Sequence, residues 1–232
     1  MAQKVVLIHH GESRHKDRAA DQLERLGYDI VNLHLYAGDR LPRLSADIAG
    51  TVVYGGKYCI TDIETMPFLQ EEMRWIEACM TAGVPVLGLC QGAQMIAHSL
   101  GAEVGPLEGD PCEFGYYRLE TLDPAFMPVG LRVPQAHFHA FGLPAGATLL
   151  ARSAGFPHQA FRYGAKTYGF QFHPEVTEPM FKEWQEAPWA REHEARAGCQ
   201  SLAEQQALSQ ETHRAVDPWF RGFLTKLFGA PA

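Results

Sequence analysis

The sequence predicts an α/β fold: a mostly parallel central sheet flanked by helices, with short added strands and a helical extension at the C-terminus. Three observations carry this expectation. Apolar runs alternate with amphipathic, glycine-terminated stretches over residues 4–101. The links between them are short, which favours right-handed crossovers and parallel pairing. From residue 103 the texture changes to short runs punctuated by Gly, Pro and aromatic residues.

Val5–Ile8 is continuously apolar, as in a strand buried on both faces. Ser13 can cap a helix over roughly 14–26, with Ala19, Leu23 and Leu26 as its stripe and Gly27 as its stop. Asp29–Leu35 reads as the second strand, and Thr51–Tyr54 as the third, ending in Gly55-Gly56. A helix follows Pro67, where Leu69, Met73, Ile76 and Met80 recur at three- or four-residue steps. Val84–Leu89 is a fourth strand and residues 91–100 a helix. Tyr116–Leu122, Thr148–Ser153, Gln159–Tyr163 and Thr167–Phe172 suit shorter, partly antiparallel strands. After Pro174 the chain turns helical, and Asp217-Pro218 reads as a helix start. Trp219, Phe220, Phe223, Leu224, Leu227 and Phe228 form one apolar face, suited to docking on the body or to a homodimer surface. The expected organisation is a catalytic domain over residues 1–177 with a helical extension over 178–232 packed on it.

Of 232 residues 46% are hydrophobic and 20% charged, so the chain can bury a core without a metal or disulfide staple. Twenty basic against 27 acidic residues give a net charge of −7 with no Lys/Arg stripe, which argues against nucleic-acid partners. No apolar run approaches the ~18 residues of a membrane span, and the N-terminal run is too short for a signal peptide. Five cysteines (Cys59, Cys79, Cys90, Cys112 and Cys199) are an odd number without C-x-x-C spacing. Reduced thiols in the cytoplasm are therefore expected, with neither a disulfide framework nor a zinc site. His9-His10 has no recognisable ligand partner, so no metal is expected.

Gly88-Leu89-Cys90-Gln91-Gly92 is a G-x-C-x-G pentapeptide between an apolar strand and a helix. It is the cysteine version of the nucleophile elbow. A sharp strand-to-helix turn lifts the thiol above the sheet edge, small flanking residues relieve crowding, and the helix N-terminus favours thiolate. The Gln91 N–H is placed to donate to an oxyanion. An arbitrary cysteine is more often a small core hydrophobe; the strand–turn–helix context reverses that preference here. Among eleven histidines, His173 ends the run Tyr168–Phe172, Pro174 breaks the strand, and Glu175 lies two residues on. That spacing lets the carboxylate hold the imidazole as base and orienter.

PVLGLCQGAQMIA and GFQFHPEVT resemble two signature blocks of the class I (triad-type) glutamine amidotransferases, and Tyr54-Gly55-Gly56 resembles the third, a glycine-rich turn. The resemblance covers roughly residues 4–177 with the blocks in the family's order. It implies a flavodoxin-like fold, Cys90 as nucleophile, His173 as base and Glu175 as its orienter. It implies backbone oxyanion donors at Gly56 and Gln91, with Gly55 lining the same turn, and Gln94 holding the glutamine. The family's half-reaction forms a γ-glutamyl thioester, releases ammonia and needs no cofactor. Gln135–Phe141 (QAHFHAF) is similar to the branch that includes the amidotransferase domain of GMP synthase; His137 fits its pattern. His139 stands where Asp is more usual there, and Lys57 where Pro usually follows the glycine pair. Wider relatives place His directly after the nucleophile, where this chain has Gln91.

Three functions follow from these residues. The first is a glutaminase that hands ammonia to a separate synthetase subunit. The second is a free-standing hydrolase of a γ-glutamyl peptide or γ-glutamyl amine. The third is a non-catalytic binding module, which an intact Cys90, His173 and Glu175 disfavours.

Overall fold

Alternate residues of the first strand explain its unbroken apolar sequence. In the computed structural model, which describes residues 3–193 and 196–231, β1 (Lys4–His10) sends Val5 and Leu7 to one face of the sheet and Val6 and Ile8 to the other. Both faces are covered, so both sets are buried. The same holds for β3 (Ile48–Gly56), whose Val52 and Val53 enter opposite cores.

The other elements of the parallel half are α1 (Arg18–Arg25), β2 (Asp29–Leu33), α2 (Pro67–Thr81), β4 (Val86–Leu89) and α3 (Gln91–Ser99). Then follow β5 (Val104–Pro106), β6 (Glu113–Arg118), β7 (Glu120–Thr121), β8 (Arg132–His137), β9 (His139–Phe141), β10 (Thr148–Arg152), β11 (Ala160–Tyr163) and β12 (Thr167–Phe170). The chain closes with α4 (Glu178–Glu186), α5 (Pro188–His193) and α6 (Leu202–Phe228). The main sheet has eight strands in the order β2-β1-β3-β4-β12-β11-β10-β7. From β2 to β12 all pairings are parallel, and from β12 to β7 all are antiparallel. Two antiparallel ribbons, β5–β9 and β6–β8, stand beside it.

Helices α1 and α6 cover one face, where Leu23, Phe220, Phe223 and Leu224 pack on Val5, Leu7, Leu87 and Phe170. Helices α2 and α3 cover the other, where Leu69, Ile76 and Ile96 pack on Val6, Ile8 and Val86. The apolar face of α6 thus docks on the body of the protein. Among the described residues no helix is long and apolar enough to cross a membrane.

Three expectations need correction. Helix α1 starts four residues later than a Ser13 cap would place it: Asp17 caps it, accepting from the N–H groups of Ala19 (2.7 Å) and Ala20 (3.0 Å), while Ser13 closes a local turn with His15. Asp217-Pro218 does not start a helix but lies inside α6, which begins at a capping box of Ser201 and Glu204. Burial of Val216 and Phe220 on either side of the proline carries the helix through it, and the Asp217 carboxylate is taken by Arg18 and Arg221 instead. Finally, the thiols are not all free. Cys112 and Cys199 form a disulfide across 87 residues, with Cα atoms 5.7 Å apart. The segment before α6 lies along the start of β6, through Cys112 N–H to the Ala197 carbonyl (2.8 Å) and Gln200 N–H to the Phe114 carbonyl (3.1 Å). This tertiary contact sets the pairing, which no sequence spacing announces. It also withdraws the thiol count as an argument for a reducing compartment.

Candidate active site

Cys90 occupies the turn between β4 and α3 with φ 50° and ψ −107°, a backbone conformation that a residue with a Cβ adopts only under strain. The pentapeptide's glycines explain how the turn fits. A Cβ on Gly88 would lie 2.4 Å from the Gly92 carbonyl oxygen, and one on Gly92 would lie 2.0 Å from that of Val53. The elbow is therefore pressed directly on β3. Cys90 is the N-cap residue of the nine-residue helix α3, so the thiol stands at the positive end of that helix. Cys79, by contrast, sits in the apolar core, where burial pushes its thiol up to about 12.

β12 runs parallel to β4 and delivers His173 beside the elbow. The His173 N–H donates to the Pro134 carbonyl at 2.9 Å, and its ring edge packs on Trp184. Nδ1 meets Glu175 Oε1 at 2.8 Å, and the ring lies beside Cys90 across the Gly55 turn. Burial pushes the imidazole down, but Glu175 and Cys90 together outweigh it and raise it to about 10. All three side chains are buried. Gly55 sits against this pair: a Cβ there would lie 2.8 Å from His173 Cε1 and 3.0 Å from Cys90 Cβ. The glycine turn thus lets β3 backbone approach the Cys90 and His173 side chains. Gly56 faces the other way, where a Cβ would lie 2.2 Å from His10 Cβ. His10 and Glu72, both without side-chain exposure, pair at 2.7 Å behind this turn, and His10 Nδ1 donates to the Tyr54 carbonyl (3.0 Å).

The buried Gln91 side chain accepts from the Tyr58 N–H (3.2 Å), which ties the elbow to the segment after the glycine turn. Gln94 donates to Gln171 Oε1 at 3.2 Å, and Gln171 Nε2 donates to the Cys90 sulfur at 3.6 Å. The sequence reading missed Gln171. Its signal was there: a glutamine in an apolar strand, two residues before His173 and therefore on the same face. It also missed the carboxylate behind Glu175. Asp17 accepts from Tyr54 Oη at 3.0 Å, and burial together with the Glu175 charge raises it to about 6. His137 lies to one side, bonded to Glu113 (3.2 Å) and to the His139 carbonyl (3.1 Å), in a buried cluster that Gln159 and Ser153 complete.

A thiol at a helix N-terminus, an imidazole oriented by a carboxylate, and a glycine turn against both constitute the equipment of acyl transfer through a cysteine. The model of the family described as glutamine amidotransferase class-I matches residues 16–183, which span the elbow and the His-Pro-Glu turn. The chain belongs to the class I glutamine amidotransferase family. Among curated proteins, this chain is 34% identical to the glutamine amidotransferase-like protein YfeJ of Salmonella typhimurium over 164 residues, 66% of this chain and 68% of that protein. It is 30% identical over 194 residues to the glutamine-hydrolysing GMP synthase of Alcanivorax borkumensis, covering 77% of this chain but only 35% of that protein. Among solved structures, a glutamine amidotransferase from Thermotoga maritima superposes with a TM-score of 0.87 at 27% identity, covering 99% of both chains. One from Methylobacillus flagellatus gives a TM-score of 0.89 at 22% identity, a likeness of fold, over 100% of this chain and 96% of that one.

Proposed function

We propose that this protein is a cysteine amidase that hydrolyses the γ-amide of glutamine through a γ-glutamyl thioester on Cys90. The observation that carries the reading is the buried trio at the strained elbow, with Glu175 holding His173 at 2.8 Å and the imidazole and Cys90 both against Gly55. In this mechanism the Cys90 thiolate attacks the side-chain amide carbon, and the oxyanion forms between the N–H groups of the glycine turn, at Gly56, and of Gln91. The His173 imidazolium protonates the leaving nitrogen, and ammonia departs. His173, now neutral, takes a proton from water, which attacks the thioester and releases glutamate. Glu175 keeps the ring oriented and offsets its charge at each stage. Gln94, through Gln171 and the sulfur, lines the acyl side of the site, with Gly55 opposite.

Glutamine as substrate is supported by the family and by the glutamine-hydrolysing GMP synthase it resembles. The reading accommodates a separate synthetase subunit that takes up the ammonia, and a cytoplasmic place among free metabolites. A hydrolase of γ-glutamyl amines draws support from one feature. His9 stacks on Tyr54 (4.4 Å) and on His34 (5.2 Å), and Tyr36 and Tyr58 continue this half-exposed row beside the glycine turn. Such a row suits a leaving group bulkier than ammonia. Glutamate release from glutamine and from a panel of γ-glutamyl peptides and amines, with Cys90→Ala as control, tests both. Cys90-dependent turnover of glutamine supports the glutaminase. Turnover confined to γ-glutamyl amines replaces it with the second reading, and turnover unchanged in Cys90→Ala refutes both.

A further inference from the structure

Three consecutive carbonyls accept hydrogen bonds from one residue. Arg18, the first residue of α1, donates its backbone N–H to the Glu175 carbonyl at 2.9 Å. Its guanidinium Nη1 donates to the Pro174 carbonyl at 3.1 Å and to the Val176 carbonyl. The whole turn that carries Glu175 therefore hangs on Arg18, which is only 4% exposed. The guanidinium is itself held from the opposite side by α6. Nε pairs with Asp217 Oδ1 at 3.0 Å, and Nη2 donates to His213 Nδ1 at 3.0 Å. His213 is fixed in turn by Tyr116 Oη at 3.0 Å, and burial with the Arg18 charge pushes its imidazole down to about 3, so a neutral ring accepts.

Taking a guanidinium out of water is costly, and a neutral helix start would serve α1 as well. What the planar fork supplies is geometry: two carbonyls and two α6 partners fixed at once. The Glu175 carboxylate needs that fixing, because its Oε2 has no hydrogen-bond partner among the described residues and only Oε1 is held, by His173. Its side chain is therefore held at one oxygen only, and the rest of its placement comes from the turn it stands on.

We infer that Arg18 is the positioning residue of Glu175, and that α6, through Asp217 and His213, is a working part of the active site rather than a cap. The inference rests on the Cys90–His173–Glu175 reading. It is tested by Arg18→Met and, should that variant fold poorly, by Asp217→Ala, whose side chain is 39% exposed. Tyr28→Phe is the control, because it removes an α6 docking bond, Tyr28 Oη to the Phe228 carbonyl (2.7 Å), at the far end of the helix. Steady-state kinetics are read beside the rate at which iodoacetamide labels Cys90, resolved by mass spectrometry with Cys59 as internal reference. The expected result is a fall in kcat of up to about 100-fold with KM changed by less than about threefold, as for a misplaced catalytic group. Cys90 labelling at neutral pH slows by about tenfold relative to Cys59, as His173 loses its carboxylate and the thiolate its counter-ion. Tyr28→Phe changes neither. Folded Arg18→Met or Asp217→Ala protein with wild-type kcat and labelling overturns the inference, and so does an equal loss in Tyr28→Phe. Failure of the triad reading looks different: wild-type turnover then survives Cys90→Ala, whatever Arg18 does to labelling.

Discussion

The strain at Cys90 makes a prediction whose sign opposes the usual one. Replacing Ala by Gly at a buried position normally costs stability, from a lost methyl contact and a freer unfolded chain, together about 1.5 kcal/mol. At the elbow the backbone sits at φ 50°, ψ −107°, far in ψ from the left-handed well. Holding a Cβ there costs about 1–3 kcal/mol. The structure places this residue at the upper end, since no local well lies nearby, so relief of about 2.5 kcal/mol exceeds the ordinary penalty. Cys90→Gly is therefore expected to be more stable than Cys90→Ala by about 1 kcal/mol. Both variants lack the sulfur, so loss of the pairing with His173 cancels between them. With a urea m-value of about 2 kcal/mol/M, the midpoint of Cys90→Gly lies about 0.5 M above that of Cys90→Ala. A midpoint for Cys90→Ala equal to or above that of Cys90→Gly refutes the claim that the fold holds residue 90 under strain.

Other consequences are as direct. Asp17 is raised to about 6 by burial and by Glu175, above an unfolded value of 3.8, so its contribution is fully present below pH 3.8 and lost as pH rises through 6. Asp17→Asn keeps a capping side chain and is expected to be more stable than wild type by up to about 2–3 kcal/mol at pH 8, with no gain near pH 3.5, in urea titrations at the two pH values. Reducing the Cys112–Cys199 bridge, which spans 87 residues, frees unfolded-chain entropy of about 4–5 kcal/mol, so a thermal melt with reductant falls below one without. Gly92→Ala places a Cβ 2.0 Å from the Val53 carbonyl oxygen; it is expected to lose about 3 kcal/mol or more in denaturant titration and to lose turnover, because β3 backbone cannot withdraw without moving the glycine turn.

What the sequence disclosed was what it encodes locally. The parallel strands were legible because both faces of each are covered, leaving unbroken apolar runs such as Val5–Ile8. The elbow and the His-Pro-Glu turn were legible because their residues lie within five positions of one another. The ribbons were not. β8 and β9 meet at Phe138 inside QAHFHAF, and β5 is three residues ending in Pro106, so no period-two pattern has room to develop. Asp217-Pro218 misled because a strong local helix start was overridden by the earlier Ser201 box and by core packing along α6. Nothing local in the sequence marks Arg18; only the fold brings residues 174–176 and 213–217 around it. The Cys112–Cys199 pairing was hidden for the same reason, being set by contacts between β6 and the segment before α6.

The most direct measurement is a mass spectrum of the intact protein, quenched with acid during turnover of glutamine and mapped by peptide digestion. A γ-glutamyl adduct on the peptide that carries Cys90, growing in the pre-steady state and absent from Cys90→Ala, is the predicted result. Turnover of glutamine with no adduct on Cys90, or with the acyl group on another side chain, would contradict the thioester mechanism at its first step.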